Sequence, residues 1–254
     1  MALEFRPRKI TFWVYIRSFL QWTIGSIALL FYVALIVPLS LFVSPFEIDL
    51  IVRSLCQAIV RIACIHIRVH GLENLDTSTN YIFIFNHINM FDHFVIYSVL
   101  PHIARGVEKE EHFNWPIYGI LIRRIGQIPI PPRGATNQAI HALERAKELF
   151  HKGISIAIAP EGTRSKTGEL GPFKKGAFHL AVQLEASVAP IVLVGMHQFN
   201  RKGDWLLFPG TVDIYFEAPI STKGLTSKNV RNLTETVRSV VASRLNIGFS
   251  TSPQ

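Results

Sequence analysis

The chain has 254 residues, with 26 Lys and Arg against 18 Asp and Glu for a formal charge of +8. That length suits one large α/β domain or a domain with an appendage. Mean hydropathy is +0.28, high for a chain of this charge, which favours an anionic membrane surface over nucleic acid as a partner. No zinc-finger spacing, aromatic-interleaved basic stripe or basic helical run supports nucleic-acid binding. The two cysteines, Cys56 and Cys64, both in apolar surroundings, exclude a disulfide framework and fit a reducing compartment.

Residues 1–17 carry Arg6, Arg8, Lys9 and Arg17, and residues 18–46 carry no charge. The uncharged stretch is long enough to span a bilayer. It is too long for a signal-peptide core, and no small-x-small cleavage site closes it before Pro45. A second apolar segment, 47–64, sets Ile48, Ile51, Leu55, Ala58 and Ile59 at helical spacing, with Arg53 and Arg61 among them. This pattern predicts an amphipathic helix. Pro38 and Pro45 break the chain between the two segments. A single span with a basic leader would place residues 47–254 outside the cell. A hairpin dipping into one leaflet would return both ends to the cytoplasmic face, with Arg53 and Arg61 flanking the same membrane. The expectation is that hairpin over residues 1–63, with one ordinary transmembrane helix as the alternative.

Residues 64–254 are expected to form the main domain. Residues 65–70 alternate as a strand and end at Gly71. Residues 81–85 are a continuous apolar run, read as a buried strand. A polar knot, Asn86-His87-Ile88-Asn89-Met90-Phe91-Asp92, follows directly, and Phe91, Phe94, Val95, Ser98 and Val99 then take helical spacing. Junctions of this kind line ligand crevices in open α/β sheets. His87 and Asp92 are five residues apart, so on one helix they would point about 140° apart at about 100° per residue. They can meet only if His87 lies in the turn and Asp92 in the first helical turn, where the dipole favours a carboxylate. A carboxylate on one imidazole nitrogen leaves the other free as a base. Taken alone, such a pair is equally consistent with a structural contact.

Beyond it, residues 104–109 read as a strand and residues 115–125 as a short helix. Prolines 129, 131 and 132 mark an edge or loop containing Arg133. Residues 136–152 form the clearest helix, with Ile140, Leu143 and Ala146 expected on one face and Gly153 as its stop. A buried strand over 155–159 delivers Pro160-Glu161-Gly162-Thr163-Arg164-Ser165. Gly162 permits close backbone approach, Arg164 can fork onto phosphate oxygens, and Thr163 and Ser165 add hydroxyls. Lys174 and Lys175 follow at the start of a helix over 174–185, another anion-favouring feature. Read alone, this loop is also consistent with a solvated surface turn. Strands over 188–194 and 211–216 and a helix over 227–245, with Val230, Leu233, Val237, Val240 and Val241 inward, complete the chain. Alternating strands and helices predict an α/β fold: a three-layer αβα domain with a mostly parallel sheet, after the N-terminal two-helix hairpin.

A base at one strand end and an anion cradle at another suggest a phosphorylated substrate whose hydroxyl is activated. No G-x-S-x-G elbow, Walker loop or G-x-G-x-x-G is present, and no ligand spacing indicates a metal. Asn86-His87-x-x-x-x-Asp92 together with Pro160-Glu161-Gly162-Thr163-Arg164-Ser165 resembles the glycerolipid acyltransferase family, most closely its 1-acylglycerol-3-phosphate acyltransferases. Lys109 and Glu110 before Pro116 and Gly119, then Gly126 and Arg133, match its middle motif. Val188-Ala189-Pro190-Ile191 is similar to the fourth, and the likeness covers most of residues 64–220. The hairpin resembles the anchor of bacterial members. One departure is Asn89, where the family often has Ser.

The resemblance implies acyl transfer from acyl-CoA or acyl-carrier protein to the sn-2 hydroxyl of lysophosphatidic acid, giving phosphatidic acid, with no cofactor and no metal. His87 would take the hydroxyl proton and Asp92 would hold the imidazole. Lys109, Arg133 and Arg164 would neutralise the phosphate, Glu161 and Gly162 would shape its pocket, and Asn86 and Thr163 would complete the substrate contacts. The place implied is the cytoplasmic face of a bacterial inner membrane, against anionic lipid. Alternatives are another acceptor (glycerol-3-phosphate, a lysophospholipid or a lyso-ornithine lipid) or an inactive lipid-binding protein.

Overall fold

The computed structural model describes residues 10–131 and 136–251. Arg133 of the expected phosphate set, and Arg6, Arg8 and Lys9 of the basic leader, lie outside the described residues. The elements run α1 (Phe12–Leu39), α2 (Pro45–Ile62), β1 (Ile65–His70), β2 (Ile82–Phe85), α3 (Asp92–Val99), β3 (Ala104–Lys109), α4 (Tyr118–Arg124), β4 (Ile128–Ile130), α5 (Thr136–His151), β5 (Ser155–Ile158), α6 (Gly176–Gln183), β6 (Val188–Val194), α7 (Met196–Phe199), β7 (Gly210–Phe216) and α8 (Val230–Thr251).

The seven strands form one sheet in the order β1-β7-β6-β2-β5-β3-β4. Every pairing is parallel except β6 with β7, so β7 and β1 run against the other five. β2 lies at the centre, and its side chains alternate between faces. Ile82 and Ile84 enter a core shared with α5, α6 and α8. Phe83 and Phe85 enter a second core shared with α2 and α3. An all-apolar strand is what two covered faces require, and the αβα layering is as expected.

The N-terminal helices form an antiparallel pair. Gln21 Nε2 donates to the Ile62 carbonyl at 3.1 Å, and Tyr32 Oη lies 2.7 Å from Ser54 Oγ. The turn between them ends in a capping box, in which the Ser44 amide donates to Glu47 Oε2 at 2.7 Å, with Pro45 at the first helical position. α1 has 28 residues, about 42 Å at 1.5 Å per residue. Among the described residues it is the one helix long and apolar enough to cross a bilayer. Phe19, Ile24, Ile27 and Phe31 on it are exposed to the surroundings, which marks the chain as membrane-associated.

α2 behaves differently. Its stripe of Ile48, Val52, Leu55, Cys56 and Ile59 is buried in the same core as Phe83 and Phe85. Full burial of one such side chain contributes roughly 1.5–3 kcal/mol, so α2 is a roof of the sheet as well as the second arm of the hairpin. Packing runs on across residues 63 and 64, where the hairpin is expected to end.

Four expectations about faces and lengths are corrected. Arg53 does not flank the membrane surface: it pairs with Asp49 at 3.3 Å and donates to the Leu100 and His102 carbonyls. The helix expected over 115–125 is shorter and begins late, as α4 at Tyr118, after a 3-10 turn at Glu110–Asn114. Pro116 and the positive φ of Ile117 (65°) separate the two, and Gly119 is required because a Cβ there would overlap the Phe113 carbonyl. Ile140 is exposed and Ala146 and Leu149 carry the buried face of α5. Val240 is half-buried, while Val230, Leu233, Val237 and Val241 are buried as expected.

Candidate active site

The carboxyl ends of β3, β5, β2 and β6 are neighbours in the sheet, and four polar segments leave it there. Such a row, flanking the central strand, is where open α/β sheets bind ligands. β2 delivers residues 86–92, β5 delivers 159–165, β3 ends on Lys109, and β6 leads through α7 to Lys202.

The spacing argument for His87 and Asp92 holds. Asp92 opens α3, and His87 lies in the turn before it, with Nδ1 2.8 Å from Asp92 Oδ2. The same carboxylate oxygen accepts the amides of Ile88 (2.7 Å) and Asn89 (3.1 Å), so one side chain folds the turn and orients the ring. Asp92 is fully buried; His87 keeps 18 % of its side-chain surface. With Nδ1–H engaged by the carboxylate, Nε2 is the nitrogen left to act as base. Next to it, His93 packs edge-on to His87 at 5.8 Å and to Phe85 at 5.3 Å. Burial pushes the His93 pKa down, which favours the neutral ring.

The second motif clasps the first. Glu161 Oε1 accepts the His87 amide at 2.8 Å, and the Ser165 amide donates to the His87 carbonyl at 2.8 Å. Glu161 Oε2 accepts the Gly171 amide at 2.8 Å. Burial raises the Glu161 pKa, against the lowering effect of those two donors. Both its oxygens are thus bonded to backbone, which suits shaping the pocket. Gly162 has φ of +69°, and a Cβ there would collide with Lys174 Nζ, which lies across it. Lys174 precedes α6 and reaches this position because its amide donates to the Pro160 carbonyl at 2.9 Å.

The expected cations divide. Arg164 is half-buried beside the turn, and Lys109 is exposed and bridged to Glu111 at 3.2 Å. Thr163 Oγ1 accepts from Lys202 Nζ at 2.9 Å. Asn86 corrects the expectation of a substrate contact. It is fully buried, its Nδ2 donates to the Leu193 carbonyl and its Oδ1 accepts the Leu193 amide, so it rivets β2 to β6. Asn89, where the family often has Ser, is fully buried too. It donates to the Met196 and Asn200 carbonyls and accepts the Phe91 amide, tying the turn to the segment after β6.

Lys202 is the residue that sequence reasoning missed. Its signal was the repeated pattern of a buried strand followed by a polar knot, here 188–194 and then Asn200-Arg201-Lys202-Gly203. A separate open groove of about 610 Å³ lies along α8, lined by Thr236, Ser239, Ser243 and Arg244 among others. It pairs no base with an acid in the way His87 and Asp92 are paired. Among the described residues, no three His, Cys, Asp or Glu side chains group as a metal site.

Fold and site together define a membrane-associated α/β protein with a carboxylate-held histidine beside a basic turn. The chain belongs to the acyltransferase family, whose model matches residues 66–194. It is 32 % identical over 170 residues to 1-acyl-sn-glycerol-3-phosphate acyltransferase of Cocos nucifera, covering 66 % of this chain and 55 % of that protein. It is 32 % identical over 176 residues to 1-acyl-sn-glycerol-3-phosphate acyltransferase alpha of Mus musculus, covering 68 % and 61 %. The chain thus spans somewhat over half the length of these curated relatives. The crystal structure of the 1-acyl-sn-glycerophosphate acyltransferase PlsC from Thermotoga maritima superposes with a TM-score of 0.81, covering 94 % of this chain and 98 % of that one at 23 % identity. That likeness is one of fold.

Proposed function

We propose that this protein transfers a fatty acyl group from a thioester donor, acyl-CoA or acyl-carrier protein, to the sn-2 hydroxyl of 1-acylglycerol-3-phosphate, forming phosphatidic acid. The observation that carries the reading is the 2.8 Å His87–Asp92 contact, clasped by the turn that bears Arg164. His87 Nε2 takes the acceptor's hydroxyl proton as the oxygen attacks the thioester carbonyl. Asp92 stabilises the imidazolium so formed. Collapse of the tetrahedral adduct breaks the C–S bond, and the sulfur leaves as a thiolate or takes the proton back. No covalent acyl-enzyme is needed, because a thiolate is a good leaving group. Arg164 and Lys109, with Arg133 as the resemblance implies, would neutralise the acceptor phosphate, and Thr163, Glu161 and Gly162 form the turn around it. The names of the Cocos nucifera and Mus musculus relatives support this acceptor.

The deciding experiment offers purified full-length protein labelled acyl-CoA and a panel of acceptors: 1-acylglycerol-3-phosphate, glycerol-3-phosphate, a lysophosphatidylcholine and a lyso-ornithine lipid. Phosphatidic acid as the main product is expected. A main product from another acceptor would move the reading to that acceptor, and no product from any would leave lipid binding as the function. Within the reaction, Arg164→Ala is expected to raise the acceptor KM about 10- to 100-fold, the value of one charge-assisted hydrogen bond. The donor KM should stay within about twofold. A rise confined to the donor would place a phosphate of coenzyme A at Arg164 instead.

The hairpin reading places residues 1–63 as the membrane-associating unit, with the main domain and the N-terminus on the cytoplasmic face of a bacterial inner membrane. α1 is bonded to α2 at Gln21 and Tyr32, and α2 is committed to the sheet, which favours a hairpin over a lone span. After Cys56 and Cys64 are replaced by Ser, Leu3→Cys and Lys228→Cys should react with an impermeant thiol reagent from the same side of intact vesicles. Labelling from opposite sides would establish a transmembrane α1.

A further inference from the structure

We propose that Lys202 is a specificity-determining residue of this site, a cation supplied by the β6 end that reads the acceptor's phosphate together with Arg164. The inference rests on the reading of the acceptor given above. Lys202 lies outside the segment that the family model matches, residues 66–194. The sheet nevertheless brings it to the same edge as the other polar segments, because β6 pairs with β2. Its Nζ donates to Thr163 Oγ1 at 2.9 Å and to the Arg164 carbonyl at 3.1 Å. An ammonium has three N–H donors, so these two contacts leave one for a ligand beside the Arg164 guanidinium.

The electrostatics point the same way. Loss of solvent lowers the Lys202 pKa first, and the charges of Arg164, Lys166 and Lys109 lower it further. Cations from the ends of β3, β5 and β6 thus repel one another around one turn, an arrangement that a doubly charged phosphate would relieve.

The loop carrying Lys202 is firmly held. Asn200 Nδ2 donates to the Asp204 and Leu206 carbonyls. The Leu207 amide donates to Ser18 Oγ at 3.0 Å, Arg17 Nη2 donates to the Leu207 carbonyl at 3.2 Å, and Trp22 Nε1 donates to the Trp205 carbonyl at 2.7 Å. All three anchoring residues are on α1, the apolar helix. Lys202 is therefore set at a fixed offset from the element that meets the bilayer. An acceptor with its chain in the membrane and its phosphate at the headgroup level would meet it in register.

The test compares full-length wild type with Lys202→Met, which keeps the stem without the charge, and Lys202→Arg. Acceptor KM, donor KM, kcat and thermal midpoint are measured with 1-acylglycerol-3-phosphate and acyl-CoA in mixed micelles. Lys202→Met is expected to raise acceptor KM about 10- to 100-fold with donor KM and thermal midpoint unchanged, and Lys202→Arg to restore most of it. An unchanged acceptor KM, or equal losses toward donor and acceptor, would overturn the inference and leave Lys202 as a prop for the Thr163 turn. A wild type that acylates only acceptors without a phosphomonoester would overturn the acceptor reading itself, and this inference with it.

Discussion

His87→Ala is expected to lower kcat by about 10²–10⁴-fold, the usual contribution of a general base, with the protein still folded and membrane-bound. The ring itself makes one polar contact, to Asp92, and keeps part of its surface exposed. Its backbone amide and carbonyl, which hold Glu161 and Ser165, survive the substitution. The turn should therefore persist while the base is gone. Asp92→Asn tests the partner more finely than Asp92→Ala would. An asparagine oxygen can still accept the Ile88 and Asn89 amides, so the turn keeps its fold, but the charge that stabilises an imidazolium is lost. Where the same exchange has been made in a serine-protease triad the loss is about 10⁴-fold, and a loss of two to four decades is expected here. Steady-state rates with 1-acylglycerol-3-phosphate and acyl-CoA, with circular dichroism to check folding, decide it. Turnover near wild type in either variant would remove His87 from the chemistry.

The pair was readable because five-residue spacing permits only one geometry, with the His in the turn and the Asp in the helix. The apolar run 81–85 was readable as a buried strand because both its faces are apolar. Other features depend on contacts that sequence spacing does not carry. Asn86 looks like a pocket residue from its neighbours, yet its partner is the backbone of Leu193, 107 residues away. Lys202 reaches Thr163 across 39 residues, and only the pairing of β2 with both β5 and β6 makes them neighbours. The reversal of β7 against β6 was equally hidden, since an apolar strand reads alike in either direction. Arg53 shows the limit most clearly. Its i,i+4 partner Asp49 was visible in the sequence, but which side of α2 faces the sheet depends on how the hairpin packs.

That packing makes a second large effect expected, in stability. Asp49 on α2 is buried, and its two oxygens pair with Arg105 on β3 at 2.9 Å and Arg53 at 3.3 Å. Arg105 is 1 % exposed, and Arg53 closes the network by donating to the Leu100 and His102 carbonyls between α3 and β3. Removing one member of a buried pair typically costs about 3–5 kcal/mol, because the charge left behind has lost both water and its counter-charge. Asp49→Ala should therefore lower the thermal midpoint by roughly 6–20 °C, at about 2–4 °C per kcal/mol for a chain near this size. The triple variant Asp49→Leu with Arg105→Met and Arg53→Met should recover most of that, since replacing a whole buried set of paired charges by apolar groups is often neutral. Recovery is the informative arm. It would show that the set costs about as much desolvation as it returns, so that its removal in part, and not its absence, is what destabilises. The network also ties α2 to the segment behind α3, whose first residue is Asp92, so Asp49→Ala should lower the fraction of active protein more than the acceptor KM. A midpoint within about 2 °C of wild type for Asp49→Ala would mean that α2 is held to the sheet by its apolar stripe alone.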